Sequence, residues 1–271
     1  MPTSFLPVRA LLCSFLLLLS VLAPAGLARA QSPPAAGSRS APTGGAFEPP
    51  YRREFVYGIT STSNSGVIAG GGIRSSRYWK PDWLWFWALQ VNEIKNRKEL
   101  RLQSSVNGDQ FIRGKTHFLY AVRPSFGLER VVLHKAAEQG VQVSVLASAG
   151  PTIGLEVPYY IYYVYDPSPL PLLPVDVRRE PNDPSRPQYQ EQRVAGSASF
   201  TTGLTEANIV PGAHLRGSLA FEYGRYRESV TGLEAGAMIE VYGRRPMLVP
   251  QTANPRVFSS VFLTLFFGRR S

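Results

Sequence analysis

The chain is short of several residue types, and each shortage closes a chemical route. Cysteine occurs once among 271 residues, at Cys13. It lies inside an amino-terminal apolar run, behind the bulky Leu12 where lipidation requires a small residue, which argues against a lipid anchor. Once that run is removed, no disulfide, thiol nucleophile or cysteine metal ligand remains. Histidine is also scarce, with only His117, His134 and His214. No Gly-x-Ser-x-Gly element, His-Glu-x-x-His element or clustered His/carboxylate spacing accompanies them. A hydrolytic set needs a base within reach of its nucleophile, and no such set is legible. The residues therefore predict no catalytic, metal or cofactor site. Charged residues make up 18% of the chain, against roughly 25% in a typical soluble domain. Past residue 30, no apolar run approaches the roughly 18 residues that a membrane helix needs.

Glycine (24), tyrosine (13) and phenylalanine (14) are plentiful, which leans towards β-structure. Arg9 precedes an apolar run from Ala10 to Ala23, followed by Pro24, Gly26 and Ala28-Arg29-Ala30. A positive start, a short apolar stretch and an A-x-A site read as a secretory signal peptide over residues 1–30, cleaved after Ala30. Its removal takes two arginines and no acids, lowering the net charge from +10 to +8. An exported basic chain meets anionic lipid head groups or lipopolysaccharide rather than nucleic acid. Residues 31–50 are rich in Pro, Gly, Ser and Ala, and they bury too little apolar surface to offset ordering, so they read as a disordered lead-in.

Residues 51–271 keep a period of two throughout, the signature of strands with two unlike faces. Trp83, Trp85, Trp87, Leu89 and Val91 alternate with Leu84, Phe86, Ala88, Gln90 and Asn92. Segments after Lys115 and from Val141, with 213–223, 232–242 and 257–267, repeat the pattern, and weaker ones lie at 53–62, 65–78 and 193–203. Nine segments are legible. A bacterial barrel needs an even number: residues 139–165, broken at Gly150-Pro151, give ten if they form two strands, and merging the weak N-terminal hairpin gives eight, so the fold class is an all-β, antiparallel transmembrane barrel of eight to ten strands. A soluble sandwich also alternates. Two features favour the barrel. One face is small and polar with isolated charges, as a narrow lumen requires. The other is apolar and carries Trp79, Trp83, Trp85 and Trp87 near strand ends, where an aromatic girdle belongs.

Turn chemistry stands at Asn64-Ser65-Gly66, Lys80-Pro81-Asp82 and Gly224–Ser229. Two long connections remain: residues 94–114, and residues 166–191, whose seven prolines predict no regular element. The Gly70-Gly71-Gly72 run reads as strand glycine rather than a phosphate cradle. His214, Arg216 and Glu222 share the inner face of one strand, and Glu234 and Glu240 that of the next. Charges inside a narrow barrel must pair or stay wet. The hairpin register predicts an Arg216–Glu240 bridge in a lumenal network of His214, Arg216, Glu222, Glu234, Glu240 and Arg123, joined by Arg74. His117 also points inward as a packed filler.

These residues resemble the uncharacterised outer-membrane β-barrel proteins of Bacteroidota. The similar stretches are Glu93–Glu99, Arg113-Gly114-Lys115, Gly140–Gly154 with Pro158-Tyr159-Tyr160, Glu222–Tyr242, Gly243–Pro250 and Phe266–Arg270. The resemblance implies a barrel and an outer-membrane location, and no activity. Three roles stay open. The first is a small plugged barrel with a structural or docking role, partnered by outer-membrane lipid, lipopolysaccharide or an outer-membrane or periplasmic protein. The second is a narrow transporter or porin-like channel, and the third a lipid-modifying or proteolytic enzyme. Small lumens fill with side chains, and Phe86, Phe258, Phe262 and Phe266 are bulky inward residues, which favours the first.

Overall fold

A computed structural model describes residues 52–96, 98–134, 141–166, 176–223, 229–250 and 254–271. The signal peptide, its cleavage site, the lead-in and most of the turn at Gly224–Ser229 lie outside them. In chain order the strands are β1 (Arg53–Thr62), β2 (Gly66–Lys80), β3 (Trp83–Ile94), β4 (Arg101–Gln103), β5 (Gln110–Ile112), β6 (His117–Leu133) and β7 (Val141–Pro158). They continue as β8 (Tyr160–Asp166), β9 (Asp176–Pro181), β10 (Val194–Ser197), β11 (Asn208–Tyr223), β12 (Ser229–Tyr242) and β13 (Val257–Arg270). Among the described residues no helix is long and apolar enough to cross a membrane.

Eight strands close an antiparallel barrel in the order β1-β13-β12-β11-β7-β6-β3-β2. Closure pairs the two ends of the chain, from Glu54 against Arg270 to Thr62 against Phe262. The count falls at the low end of the expected range for two reasons. β7 runs unbroken through Gly150-Pro151, and residues 193–203 form the short β10 and a 3₁₀ turn at Phe200–Glu206 rather than a barrel strand. Prolines do leave a mark: pairing between β6 and β7 lapses between Val122↔Ile153 and Phe126↔Ala149. Pro124 and Pro151 fall opposite one another there, and neither has an N–H to give.

The expected turns at Asn64-Ser65-Gly66 and Lys80-Pro81-Asp82 form. Gly66 takes φ +115° after the first hairpin, and Asp82 takes φ 64° in the second, a conformation aspartate tolerates better than most residues. At Gly70 a Cβ would lie 1.9 Å from the Val91 carbonyl oxygen, so only glycine lets β2 approach β3 so closely.

Alternation sorts the residues as a membrane barrel would. Phe55, Tyr57, Ile59, Leu89, Phe126, Leu215, Leu219, Leu263 and Leu265 are exposed on the outer wall, while Phe86, Leu146, Ser218, Phe262 and Thr264 are buried inside. Outward charges on the barrel strands occur only near the ends, with Arg53, Arg77, Lys80, Arg130 and Arg269 at one and Glu93 at the other. The two ends differ in their connections. The chain termini of the barrel and the links β2–β3, β6–β7 and β11–β12 share one end; residues 95–116, 159–207 and 243–256 join strands at the other. There, β10, β8 and β9 form a sheet and β4 and β5 a hairpin. The strand at Asp176–Pro181 corrects the expectation of no regular element in 166–191. Its DVRREP sequence has no apolar alternation, because it is an exposed edge paired with β8 on one side alone.

Candidate functional site

The lumen carries the charges. Arg123 on β6 donates from Nε and Nη2 to the two carboxylate oxygens of Glu240 on β12, at 2.9 Å each. Arg216 on β11 donates to Glu234 at 2.8 Å and reaches Gln90 on β3 at 2.7 Å. Ser218 donates to the same Glu234 oxygen at 2.7 Å, and Arg74 stands 3.5 Å from the other. Nearer the terminus end, Arg270 on β13 bridges Glu54, at 2.7 Å, and Glu222. His214 is buried and shares a hydrogen bond of 3.0 Å with Thr152.

The expected Arg216–Glu240 bridge is therefore replaced by two others. The hairpin register is as expected, with His214 opposite Glu240 and Glu222 opposite Gly232. Arg216, however, lies across from Met238 and leans to Glu234, while Glu240 is taken by an arginine three barrel strands away, past β11 and β7. All six members of the expected network are buried. Sequence reasoning missed Glu54, Glu129 and Arg270; extending the alternation of β1, β6 and β13 to their ends would have found them. His117 is half-buried beside Thr116.

Aromatic rings fill the space between the charges. Arg216 Cζ sits 3.6 Å from the Phe262 ring centroid, and Arg74 lies 5.6 Å from Phe86 and 5.5 Å from Phe266. Guanidinium groups pair carboxylates in plane and stack on rings with their faces, so one arginine serves both contacts. A cavity of about 40 Å³ remains beside Gly58, Gly72, Gln90 and Ser148, room for one to about three waters. Of the Gly70-Gly71-Gly72 run, Gly72 lines this water-sized space, and residues 193–203 do not border it.

Above the lumen, Leu248 and Val249 from the β12–β13 link are buried against Ile94, Leu119, Val210, Tyr242 and Phe258. Their placement is held by Glu156, whose carboxylate accepts from Arg244 at 2.9 Å and from the Met247 N–H at 2.8 Å. The remaining connections pack into a cap around Phe111, Tyr159, Ile161, Tyr163 and Val194. Tyr159 N–H donates to Thr116 O at 2.8 Å, its hydroxyl accepts from Ile112 N–H at 3.1 Å, and Asn182 Nδ2 donates to Lys115 O at 2.7 Å. Lys115 is fully buried, with Nζ 3.1 Å from both Glu99 oxygens and 4.3 Å from the Phe118 ring. Burial lowers its pKa from the ordinary lysine value, against the opposing pull of Glu99 and Glu93.

All four tryptophans lie at the opposite end, near the termini. Trp83, Trp85 and Trp87 follow one another on the outer face of β3, and Trp79 is exposed on β2. Among the described residues no cluster of His, Cys, Asp or Glu could hold a metal ion.

No protein-family model and no curated protein matches the chain. Solved structures similar to it include Ail, the attachment invasion locus protein of Yersinia pestis, alone and with the heparin analogue sucrose octasulfate. Ail shows 10% identity and a TM-score of 0.35, over 82% of this chain and 99% of its own. Neisserial surface protein A gives 11% identity and a TM-score of 0.35, over 82% and 98%.

Proposed function

We propose that this chain is a small outer-membrane β-barrel that does not conduct, and that holds its folded cap at the cell surface as a docking or structural element. The observation that carries the reading is an inverted wall: buried ion pairs inside, and a girdle of exposed Phe, Leu, Ile and Val outside. Soluble monomers rarely expose an apolar patch beyond a few hundred Å², whereas a lipid-facing barrel requires one. Outer-membrane barrels keep short turns in the periplasm and long loops outside, which sets the cap outward and the termini inward. Lipopolysaccharide then surrounds the cap end, and a protein partner would meet the cap itself. The filled lumen and the apolar seal of Leu248 and Val249 argue against a channel, and the lumenal side chains are committed to one another rather than arranged as a nucleophile with its base.

Single cysteines test the orientation, because the only native cysteine lies in the expected signal peptide. A membrane-impermeant maleimide should label Ser185→Cys in the cap on intact cells, and Asp82→Cys in the β2–β3 turn only after the outer membrane is opened. Labelling of Asp82→Cys on intact cells would overturn the orientation, and recovery of both variants in the soluble fraction would overturn the location.

A further inference from the structure

The outer wall at the terminus end holds a group of cations that the lumen does not use. Arg77 on β2 lies directly across from Trp85, and Trp83 lies between Lys80 on β2 and Arg130 on β6. Their charges hover over the rings: Arg77 Cζ is 5.4 Å from Trp85, Arg130 Cζ is 5.6 Å from Trp83, and Lys80 Nζ is 4.7 Å from Trp79. All three cations are exposed, and none forms an ion pair with a carboxylate among the described residues. Asp82, the acid in the adjoining turn, is directed instead to His134 Nε2 at 3.0 Å. Three unneutralised cations at one spot on an apolar wall repel each other, and an anion at the membrane surface would relieve that repulsion.

The geometry points to a binding site for the phosphodiester head group of an anionic glycerophospholipid. The tryptophan rings would lie along the glycerol and upper acyl chain, with Arg77, Lys80 and Arg130 around the phosphate. This inference rests on the outer-membrane reading, which turns this end of the barrel towards the periplasmic leaflet. Rings and cations divide the work as amphipathic groups do at a bilayer surface: the flat apolar body stays among the chains and the charge meets the head group. Guanidinium groups suit phosphate oxygens because they donate in a fork.

The tryptophans supply their own assay, since all four of the chain lie between residues 79 and 87 and their fluorescence reports this patch alone. The barrel is folded into phosphatidylcholine vesicles containing a minor fraction of brominated phosphatidylglycerol, or the same fraction of brominated phosphatidylcholine. Each basic residue near a membrane surface favours anionic lipid by about fivefold. The brominated phosphatidylglycerol should therefore quench well above its mole fraction, by an apparent preference on the order of 10²-fold at low salt. High salt should shrink that preference. The triple variant Arg77→Gln, Lys80→Gln, Arg130→Gln should quench alike with both lipids, and Arg77→Lys with Arg130→Lys should retain most of the preference. Equal quenching of the wild-type barrel by the two lipids would overturn the site while leaving the membrane reading intact. Absence of quenching by either lipid would overturn the membrane reading and the site with it. A preference that survives in the triple variant would move the site elsewhere and refute this assignment.

Discussion

Glu240→Gln removes one carboxylate charge from a pair whose side chains are 2% and 1% exposed. The wild-type Arg123 receives two charge-assisted hydrogen bonds' worth of compensation from Glu240, at 2.9 Å each. The variant leaves its guanidinium deep in the lumen against a neutral amide. Breaking one side of a buried pair costs about 3–5 kcal/mol, and Arg123→Met should cost a similar amount by stranding the carboxylate. The double variant leaves neither charge unpaired, so its loss should fall below the sum of the singles by about 1–3 kcal/mol. Arg216→Met combined with Glu240→Gln should couple far less, because Arg216 gives its hydrogen bonds to Glu234 and Gln90. Urea-dependent folding into lipid vesicles, followed by tryptophan fluorescence, measures each step. Strict additivity for Arg123 with Glu240, or a larger coupling for Arg216 with Glu240, would refute the lumenal pairing described above.

Other outcomes follow from the same geometry. Glu234→Gln should destabilise more than Glu240→Gln in the same assay, because Glu234 answers two arginines and Ser218 rather than one arginine. Leu219→Arg and Leu263→Arg should each cost roughly 2–4 kcal/mol where the position lies near the bilayer midplane; an unchanged folding titration would contradict their lipid exposure. Membrane-soluble thiol reagents should modify cysteines placed at Trp85, Leu219 and Leu263, and spare those at Phe86, Ser218 and Thr264. For Lys115, the folded cap binds its proton less tightly than the unfolded chain does. Between the lowered value and the ordinary 10.5, the unfolded state therefore holds more protons, and this group stabilises the cap as pH rises through that window. Limited proteolysis of the cap should slow as pH rises from the lowered value towards the ordinary 10.5, and Lys115→Met should abolish that dependence.

Much of the barrel was legible because a strand with lipid on one side and a narrow lumen on the other has only one way to alternate. Leu219 and Leu263 outside, Ser218 and Thr264 inside, and the register of His214 against Glu240 all follow from period two and a hairpin. Partner choice inside the lumen was not legible in the same way. It depends on which strands face each other across the closed barrel and on the reach of arginine, so Arg123 meets Glu240 from three barrel strands away while Arg216 turns to Glu234. The cap was hidden for a different reason. Its strands are short, its core is assembled from Phe111 of one connection and Tyr159 and Val194, thirty-five residues apart, of another, and no single stretch carries a periodic pattern. Lys115 shows the same limit: a lysine in a basic connection reads as solvated, and only the fold reveals Glu99 and Phe118 closing over it.

The proposed non-conducting barrel rests on a lumen closed by ion pairs and stacked rings in the middle, which leave a water-sized cavity, and by Leu248 and Val249 under the cap. Planar-bilayer recording of the folded, purified protein tests it most directly. Lumen width grows with strand number, and eight strands leave an interior just wide enough for side chains. The expected record is a quiet membrane after insertion, with insertion verified by protein recovered in the bilayer-forming vesicles. Large, steady, long-lived conductance steps would contradict the filled lumen and establish a channel in its place.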